Sequence, residues 1–325
     1  MKVLVAIYSE FACWCIPDAE VDALRRAFPA HTFVRADSDD ETLERIGDAE
    51  VVYGSRITRA QLAVAPLLRW IHSPAAGIGG MLFPEMIGSR VVMTNSRGNS
   101  AVTIAEHVIC VTLALLRQFP LAWRRQAERI WAQDEFHAGA SIRTLRDARV
   151  LVVGMGAIGG ETARLFNAFG ARVTGIRRNP APAEGNVTVV GPDRLHDELP
   201  HADVVVLCAP QTAETVRLIG AKELAMMRDE AVLVNVSRGK LVDEAALALA
   251  LASGRLRGAA LDVFEHEPLS HDSPLWARED VIVTPHVSGF HSRHWSETTR
   301  LFTENLRRFE ARQPLANLVD KKAGY

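Results

Sequence analysis

Three side chains suited to acid–base and anion chemistry each follow an apolar segment in the last third of the chain: Arg238, Glu267 and His286. The planar fork of an arginine can hold a carboxylate and polarise the neighbouring carbonyl group. A histidine can donate a proton to the carbonyl oxygen as a hydride reaches the carbon. A carboxylate beside the imidazole holds its tautomer and favours its protonated form. This trio therefore predicts the reduction of a 2-keto acid.

A glycine-rich segment predicts the source of the hydride. The apolar run 150–153 ends at Gly154, and Gly154, Gly156 and Gly159 fill the three places of G-x-G-x-x-G before a helix-like segment. In such a unit the first glycine permits the turn, the second lets a pyrophosphate approach and the third lets helix and strand pack closely. The helix N-terminus, with Ala157 and Ile158, adds free N–H groups. We predict a dinucleotide site, and the alternative is a structural turn whose glycines only relieve crowding.

The end of the next strand predicts which dinucleotide is bound. An NAD-binding unit normally has an acidic residue there, roughly 20 residues past the glycine turn, to hold the ribose 2′-hydroxyl. Here Arg177 stands at that place, and Arg178 follows it. An acid would repel a 2′-phosphate, whereas two arginines would pair with it. We therefore predict that NADP(H) is preferred and that NAD(H) remains possible.

The order of the segments predicts an α/β protein with two doubly wound parallel sheets. In the first part, strands are predicted at residues 3–7, 51–53, 69–72 and 91–94, with helices at 18–27 and 59–65. In the second part, six strands are predicted, beginning at residue 150 and continuing at 172–176, 204–208, 231–236, 259–263 and 281–284. A last helix, 296–311, is expected to return to the first domain, because it cannot extend a completed sheet.

The helices between these two parts predict an interface. Residues 100–117 are apolar on more than one side, which is typical of a helix buried between domains or subunits. A second helix, predicted at 121–133, carries Trp123 and Trp131 among arginines. These tryptophans favour a dimer contact over an ordinary surface, because exposed large aromatic residues often mark interfaces.

The composition excludes several classes of function. A net charge of −2 indicates neither a nucleic-acid footprint nor an anionic membrane surface. No apolar run reaches the ~18 residues of a membrane span, and residues 1–8 are interpreted as a strand rather than a secretory signal. Four cysteines in 325 residues do not make a disulfide framework, and Cys110 and Cys208 are expected in the core. These observations favour a cytoplasmic enzyme without a metal site.

Several segments resemble those of the D-isomer-specific 2-hydroxyacid dehydrogenases. The signature segments are similar to 235–239, to 262–264 with Glu267 and Pro268, and to 284–286, while 95–98 and 104–107 resemble the long interdomain helix of the family. The resemblance runs from about residue 71 to 318. It implies that Arg238, Glu267 and His286 form the catalytic set. It also implies a homodimer that pairs through the cofactor domains.

The resemblance implies further cofactor contacts and a domain plan. Asp262 would hydrogen-bond the nicotinamide amide, and Cys208, Ala209 and Pro210 would pass under the cofactor. We also assign Val236, Ser237 and Gly289 to this site. The predicted Rossmann domain, residues 99–290, is inserted in a discontinuous flavodoxin-like substrate domain formed by residues 1–98 plus 291–325.

The substrate-binding residues are predicted in the first and last parts of the chain. In the loop 73–80, small residues at Ala76, Gly77 and Ile78 can point consecutive N–H groups at a carboxylate, although a plain turn would carry the same glycines. Arg56 ends another strand and is assigned to the substrate, with a solvated arginine as the alternative. Trp295 is assigned to the pocket wall, with a core position as the alternative.

Three functional hypotheses follow. The first is an NADPH-dependent 2-keto-acid reductase, which is equally a D-2-hydroxyacid dehydrogenase. The second is a formate- or phosphite-type anion dehydrogenase, although formate dehydrogenases carry glutamine where Glu267 stands. The third is a nucleotide-sensing corepressor on the same scaffold, which the presence of the catalytic trio does not exclude.

Overall fold

The structure is a computed structural model that describes residues 1–138, 142–180 and 185–324. The chain divides into two compact units, which are Met1–Asn99 with His291–Tyr325 and Ser100–Phe290. Both units are parallel α/β sheets, so the predicted fold class is confirmed. The predicted domain ranges also contain 139–141, 181–184 and 325, which lie outside the described residues.

The first unit contains a five-stranded parallel sheet in the order β2-β1-β3-β4-β5. Its strands are β1 Lys2–Ala6, β2 Thr32–Arg35, β3 Val51–Gly54, β4 Trp70–Ser73 and β5 Val92–Asn95. Its helices are α1 Asp18–Ala27, α2 Asp39–Arg45, α3 Arg59–Ala63 and α4 Pro84–Gly88. Sequence reasoning missed β2, because an edge strand with only one fully buried residue lacks a continuous apolar run.

Aromatic stacking holds the last helix, α12 His294–Glu310, on the first unit. The Phe302 ring stacks on Tyr53 with centroids 4.2 Å apart and on Trp70 with centroids 5.3 Å apart. All three rings are fully buried. Such pairs stabilise beyond the area that they bury, so this contact fixes where the C-terminal helix packs.

The second unit contains a seven-stranded parallel sheet in the order β12-β11-β10-β9-β6-β7-β8. Its strands are β6 Arg149–Val153, β7 Arg172–Ile176, β8 Val187–Val190, β9 Val204–Leu207, β10 Val232–Asn235, β11 Gly258–Leu261 and β12 Val281–Val283. Its helices are α5 Ala101–Leu116, α6 Phe119–Glu128, α7 Gln133–Ala138, α8 Ala157–Ala168, α9 Leu195–Glu198, α10 Ala221–Met226 and α11 Glu244–Ala252.

Two expectations for this unit were wrong. The sheet has seven strands rather than six, because the half-buried edge strand β8 carries no strong apolar signal. The segment predicted as one helix at 121–133 forms α6 and the start of α7, and Trp131 lies between them with 90% of its surface exposed. Pro120 lies in the first turn of α6, where a proline is tolerated.

The strand order reverses between β6 and β9. In an open parallel sheet, the crevice beyond the carboxyl ends of the strands at such a reversal is where ligands bind. The loops after β6, β9, β10, β11 and β12 therefore lie at the edge of the sheet where a ligand is expected.

The helix α5 has one exposed face. Val102, Glu106 and Cys110 are exposed at four-residue spacing, so the expected core position of Cys110 was wrong. Within the described ranges, no single helix is long and apolar enough to cross a membrane, although α5 and α6 together have the length and composition and are bent by 67° at their junction.

The burial of His72 predicts that the first unit loses stability in acid. Burial lowers the pKa of this imidazole to about 3, and its Nδ1 lies 2.7 Å from Thr94 Oγ1. The unfolded chain binds this proton near pH 6.5, so the unfolded state takes up more protons as the pH falls below that value. We expect the free energy of unfolding to fall by roughly a few kcal/mol as the pH is lowered from 6.5 to about 3.

Urea unfolding of wild type and His72→Gln at pH 7.5, 6.0 and 5.0 measures this effect. The variant should lose part of the pH dependence, because glutamine does not titrate. His271→Gln, at an exposed position, is the control and should keep the wild-type slope. An equal slope for His72→Gln and wild type would contradict the prediction.

Candidate active site

Glycine occupies each of the three positions in the turn after β6 for a different physical reason. Gly154 has φ +102°, and a Cβ there would lie 2.5 Å from the Ala209 nitrogen. A Cβ on Gly159 would overlap the Gly154 carbonyl oxygen. At Gly156, by contrast, an added Cβ would meet nothing within 4 Å. The protein itself requires the first and third glycines, whereas the second leaves open space beside the α8 N-terminus. That space fits a pyrophosphate, which needs close approach to the backbone.

The glycine turn is joined to the end of β7. The N–H groups of Gly154 and Met155 both donate to the Ile176 carbonyl, at 3.0 and 3.1 Å. Arg177 is the next residue, and its side chain is exposed. Among the residues that the structure describes, no carboxylate pairs with the Arg177 guanidinium, whereas Arg178 lies 3.3 Å from Glu214. Within the described ranges, the Arg177 guanidinium is thus without a carboxylate partner at the end of β7.

The segment after β9 forms the opposite wall of this turn. The Cys208 N–H donates to the Val153 carbonyl at 2.8 Å, and the backbone of Ala209 packs against Gly154. Cys208 is half-buried as a residue, but burial of its thiol raises the thiol pKa to about 12. The thiol therefore stays neutral, and the segment that includes Pro210 borders the glycine turn through its backbone.

A side-chain amide organises the turn that carries Arg238. Asn235 Oδ1 accepts hydrogen bonds from the backbone N–H and the hydroxyl of Ser237, at 3.1 and 3.0 Å, and its Nδ2 donates to the Arg238 carbonyl at 3.0 Å. Burial lowers the pKa of the Arg238 guanidinium, and the charge of Glu267 opposes that shift. Val236 and Ser237 are buried. Sequence reasoning did not assign Asn235, although an asparagine two residues before a serine is a recognisable turn signal.

Glu267 and His286 form a hydrogen-bonded pair. His286 Nδ1 lies 2.7 Å from Glu267 Oε2, and Glu267 Oε1 accepts the Phe264 N–H at 3.0 Å. The contact with the carboxylate is made by Nδ1, so Nε2 lies on the opposite side of the imidazole ring. The His286 side chain is 44% exposed.

The electrostatic surroundings keep Glu267 ionised. Partial burial acts to raise its pKa, but the hydrogen bonds from His286 and Phe264 outweigh it. The charges of His286 and Arg238 also lower the pKa of Glu267, which therefore lies below its usual value. An ionised carboxylate at this position stabilises a protonated imidazole.

Asp262 holds the segment that carries His286. Its carboxylate accepts hydrogen bonds from the Thr284 hydroxyl at 2.6 Å and from the N–H groups of Val287 and Ser288 at 2.9 and 3.0 Å. Its carbonyl accepts the His286 N–H at 2.8 Å. His286 has φ +54°, a left-handed conformation that needs such support. This loop-holding contact was not predicted, and the contact of Asp262 with the nicotinamide amide stays a prediction.

Two further residues surround this segment. Thr284 Oγ1 lies 3.4 Å from His107 Nε2 on α5, and burial lowers the pKa of His107. The charge of Asp262 partly offsets this pKa shift of His107. On the other side of the segment, a Cβ on Gly289 would lie 3.3 Å from Ser100 Cβ, so Gly289 packs beside the start of α5. Sequence reasoning missed His107, which is distant in sequence from the strands that it contacts.

The predicted substrate residues lie in the first unit. Ala76 and Gly77 are exposed and Ile78 is buried, and Asn95 Nδ2 fixes the loop by donating to the Ala76 carbonyl at 2.8 Å. Over the described part of the chain, nothing accepts a hydrogen bond from the N–H groups of Ala76 and Gly77. These two groups remain available to a carboxylate, as expected of an anion site.

Arg56 and Trp295 have partners inside the first unit. Arg56 Nη2 lies 2.8 Å from Asp39 Oδ2, and Asp39 also accepts the Tyr8 hydroxyl at 2.6 Å. Trp295 is half-buried, and its ring meets that of His294 edge-on at 5.1 Å. Their assignment to the substrate stays a prediction.

Arg238, Glu267 and His286 thus follow β10, β11 and β12 at one edge of the second unit's sheet. The glycine turn follows β6 at the same edge, because all seven strands run parallel. The arrangement combines a pyrophosphate cradle, a guanidinium, and an imidazole oriented by a carboxylate. Such a set can bind a nucleotide, hold an anion and transfer a proton.

Known proteins share this sequence pattern and architecture. The family model for the D-isomer specific 2-hydroxyacid dehydrogenase, NAD binding domain, matches residues 109–288. A glyoxylate reductase of Korarchaeum cryptofilum is 33% identical over 287 residues, which are 86% of this chain and 85% of that protein.

Two solved structures cover nearly the whole chain. A D-isomer specific 2-hydroxyacid dehydrogenase from Xanthobacter autotrophicus, in complex with NADPH and MES, superposes with a TM-score of 0.85 at 30% identity, and 99% of each chain is covered. An NADPH-dependent glyoxylate/hydroxypyruvate reductase from Sinorhizobium meliloti, in complex with NADP and sulfate, has a TM-score of 0.84 at 27% identity over 100% of this chain and 99% of that one. The chain therefore belongs to the D-isomer specific 2-hydroxyacid dehydrogenase family, whose members are NAD(P)-dependent oxidoreductases.

Proposed function

We propose that this protein reduces a small 2-keto acid to the D-2-hydroxy acid with NADPH, and that it catalyses the reverse oxidation with NADP⁺. The observation that carries this proposal is the hydrogen-bonded pair of His286 and Glu267, at 2.7 Å, together with the half-buried Arg238, whose guanidinium interacts electrostatically with Glu267. The pair supplies a proton donor, and the guanidinium supplies a site for the anionic substrate.

Each residue of the trio has one task in this reaction. Arg238 holds the substrate carboxylate and polarises the 2-keto group through its planar fork. When bound, the nicotinamide ring supplies the hydride. His286 donates the Nε2 proton to the carbonyl oxygen, and Glu267 stabilises the imidazolium before that transfer. The N–H groups of Ala76 and Gly77 are further candidates for carboxylate binding.

The preference for NADP(H) rests on Arg177. Its exposed guanidinium follows the strand that is hydrogen-bonded to the glycine turn, where an NAD-binding unit carries an acid. The complexes of the Xanthobacter autotrophicus and Sinorhizobium meliloti relatives, with NADPH and NADP, support the same choice.

We also propose that the protein is a homodimer that pairs through its cofactor unit. Exposed apolar side chains cluster in sequence on α5, α6 and the segment after α6, among them Val102, Trp123 and Trp131. Large aromatic side chains at such exposure are typical of interfaces. Sedimentation equilibrium of wild type and Trp123→Ala tests this proposal: wild type should be dimeric and the variant should dissociate more readily. A monomeric wild type would overturn it.

Turnover measurements test the proposed reaction. Glyoxylate, hydroxypyruvate, pyruvate and phenylpyruvate are each offered with NADPH and with NADH, and formate and phosphite are each offered with NADP⁺ and NAD⁺. Reduction of at least one keto acid, faster with NADPH, is expected. Oxidation of formate or phosphite alone would favour an anion dehydrogenase. Tight nucleotide binding without any turnover would favour a sensing protein.

Arg238→Lys should raise KM for the keto acid and lower kcat together. Lysine keeps the charge but cannot reproduce the bidentate fork, and charge-assisted hydrogen bonds contribute about 1.5–3 kcal/mol each, so we expect a loss of at least about tenfold in kcat/KM. Steady-state kinetics at saturating NADPH measure both constants. Lys240→Arg, on the exposed surface two residues away, is the control. Unchanged kinetics in Arg238→Lys would remove Arg238 from the site.

Glu267→Gln should move the pH profile of the reductive reaction toward acid. The ionised carboxylate, whose pKa is lowered beside His286, stabilises the protonated imidazole, and a neutral amide does not. Reduction needs that proton, so activity in the variant should be lost at a lower pH than in wild type. The measurement is kcat/KM for the keto acid between pH 5 and 10. An identical profile would make Glu267 a structural residue only.

A further inference from the structure

The segment that carries Glu267 is tied to the N-terminus of α11 by two reciprocal hydrogen bonds. The backbone N–H of Glu244, the first residue of α11, donates to Glu265 Oε1 at 3.2 Å. In return, the backbone N–H of Glu265 donates to Glu244 Oε1. Each glutamate thus satisfies a backbone donor of the other, and the N-terminus of a helix favours such carboxylates.

The same segment is held at close range by the backbone on its other side. A Cβ on Gly239 would overlap the carbonyl carbon of Phe264, so Gly239 lets the two backbones touch directly after Arg238. Phe264 in turn donates its N–H to Glu267 Oε1 at 3.0 Å. Glu265, between the two, has its backbone N–H committed to Glu244. The position of the Glu267 carboxylate is therefore set by contacts two and three residues before it.

The surroundings of Glu244 show that this contact is not an ordinary surface pair. Glu244 is half-buried, and burial together with the charges of Glu265 and Glu267 raises its pKa, while the hydrogen bond from the Glu265 N–H and the charge of His266 oppose the shift. Two carboxylates repel each other, and here each accepts a backbone hydrogen bond that offsets this repulsion. The N-cap of α11 is already provided by Asp243, whose carboxylate accepts the Ala246 N–H at 3.0 Å. Starting the helix does not require Glu244 to contact Glu265.

We propose that Glu244 and Glu265 are positioning residues, which form a reciprocal latch that fixes the Glu267 carboxylate against His286. This inference rests on the proposed function, because it assigns the latch to the proton-donating pair. Without the latch, the segment 264–267 can move, and displacements of about 1 Å at a reacting group can lower rates by up to about 10²-fold.

The latch is tested with Glu244→Ala and Glu265→Ala, each of which removes one of the two hydrogen bonds. We expect kcat to fall about tenfold in each, KM for NADPH to stay unchanged, and the pH profile to move toward acid as in Glu267→Gln. Glu244→Gln should restore nearly wild-type kinetics, because the amide oxygen still accepts the Glu265 N–H. The double variant, which loses both hydrogen bonds, should fall short of the sum of the two single effects, because both bonds restrain the same segment.

Asp243→Ala is the matched control. It removes a hydrogen bond at the same helix N-terminus, which lowers stability by about 0.5–2 kcal/mol, but leaves the Glu244–Glu265 contact in place. Thermal unfolding of all variants separates stability from kinetics. Asp243→Ala should unfold at a lower temperature and keep the wild-type pH profile.

A comparison in the Glu267→Gln background separates the two hypotheses. If the latch acts through Glu267, Glu244→Ala should cause no further shift of the pH profile when Glu267 is already glutamine. A shifted profile in Glu267→Gln with a wild-type profile and kcat in both alanine variants would overturn the latch and leave the proposed function intact. An unchanged profile in Glu267→Gln would overturn the role of Glu267, and the latch with it.

Discussion

Replacing His286 with asparagine is expected to lower kcat for keto-acid reduction by about 10²–10⁴-fold, the usual contribution of a general acid. In the proposed reaction the imidazole carries the proton, and its Nδ1 contacts Glu267 at 2.7 Å. Asparagine keeps a polar group near the position of Nδ1 but has no group at the position of Nε2, and its amide cannot donate a proton to a developing alkoxide at neutral pH. Binding of NADPH should remain nearly unchanged, because the glycine turn and Arg177 are untouched.

Steady-state kinetics and fluorescence titration with NADPH measure these two outcomes separately. His271→Asn is the matched control, since this exposed histidine lies four residues after Glu267 and is not assigned to the site. Its kcat should equal that of wild type. A His286→Asn variant with wild-type kcat would require another proton donor and would remove His286 from the mechanism.

Replacing Arg177 with aspartate is expected to invert the cofactor preference. The change would remove the proposed charge-assisted hydrogen bond to the 2′-phosphate, and such a bond contributes about 1.5–3 kcal/mol, or roughly tenfold to more than a hundredfold in the dissociation constant. It also places a negative charge near the phosphate and restores the acid that holds the ribose hydroxyl in NAD-binding units. NADPH should therefore bind more weakly, and NADH should bind as well as before or better.

Dissociation constants of both nucleotides, measured by fluorescence with wild type and variant, check this result. Arg172→Asp is the control, because Arg172 lies at the opposite end of the same strand and is equally an exposed arginine. It makes the same change in net charge away from the glycine turn, so it should leave the preference unaltered. Equal dissociation constants of wild type for NADPH and NADH, or tighter binding of NADH, would show that Arg177 points into solvent.

The sequence by itself determined the features that depend on local patterns. The apolar run before Gly154, the three glycines and the start of the following helix predicted the turn after β6, because this pattern is local in the sequence. Alternating apolar segments predicted both parallel sheets. The edge strands β2 and β8 were not predicted. They are only half-buried, so their sequences show little of the apolar pattern by which a strand is recognised.

Only the tertiary structure decided how the chemical groups are held. Asp262 accepts three hydrogen bonds from residues 22 to 26 positions later, and this pairing keeps His286 in its left-handed conformation. Glu244 and Glu265 meet across 21 positions, and no local pattern relates two glutamates at that separation. The exposure of Cys110 likewise depends on which face of α5 packs against its own unit. Residue types and spacing thus specify which groups can react, whereas long-range hydrogen bonds and packing fix their orientation, since these contacts exist only once the strands are aligned.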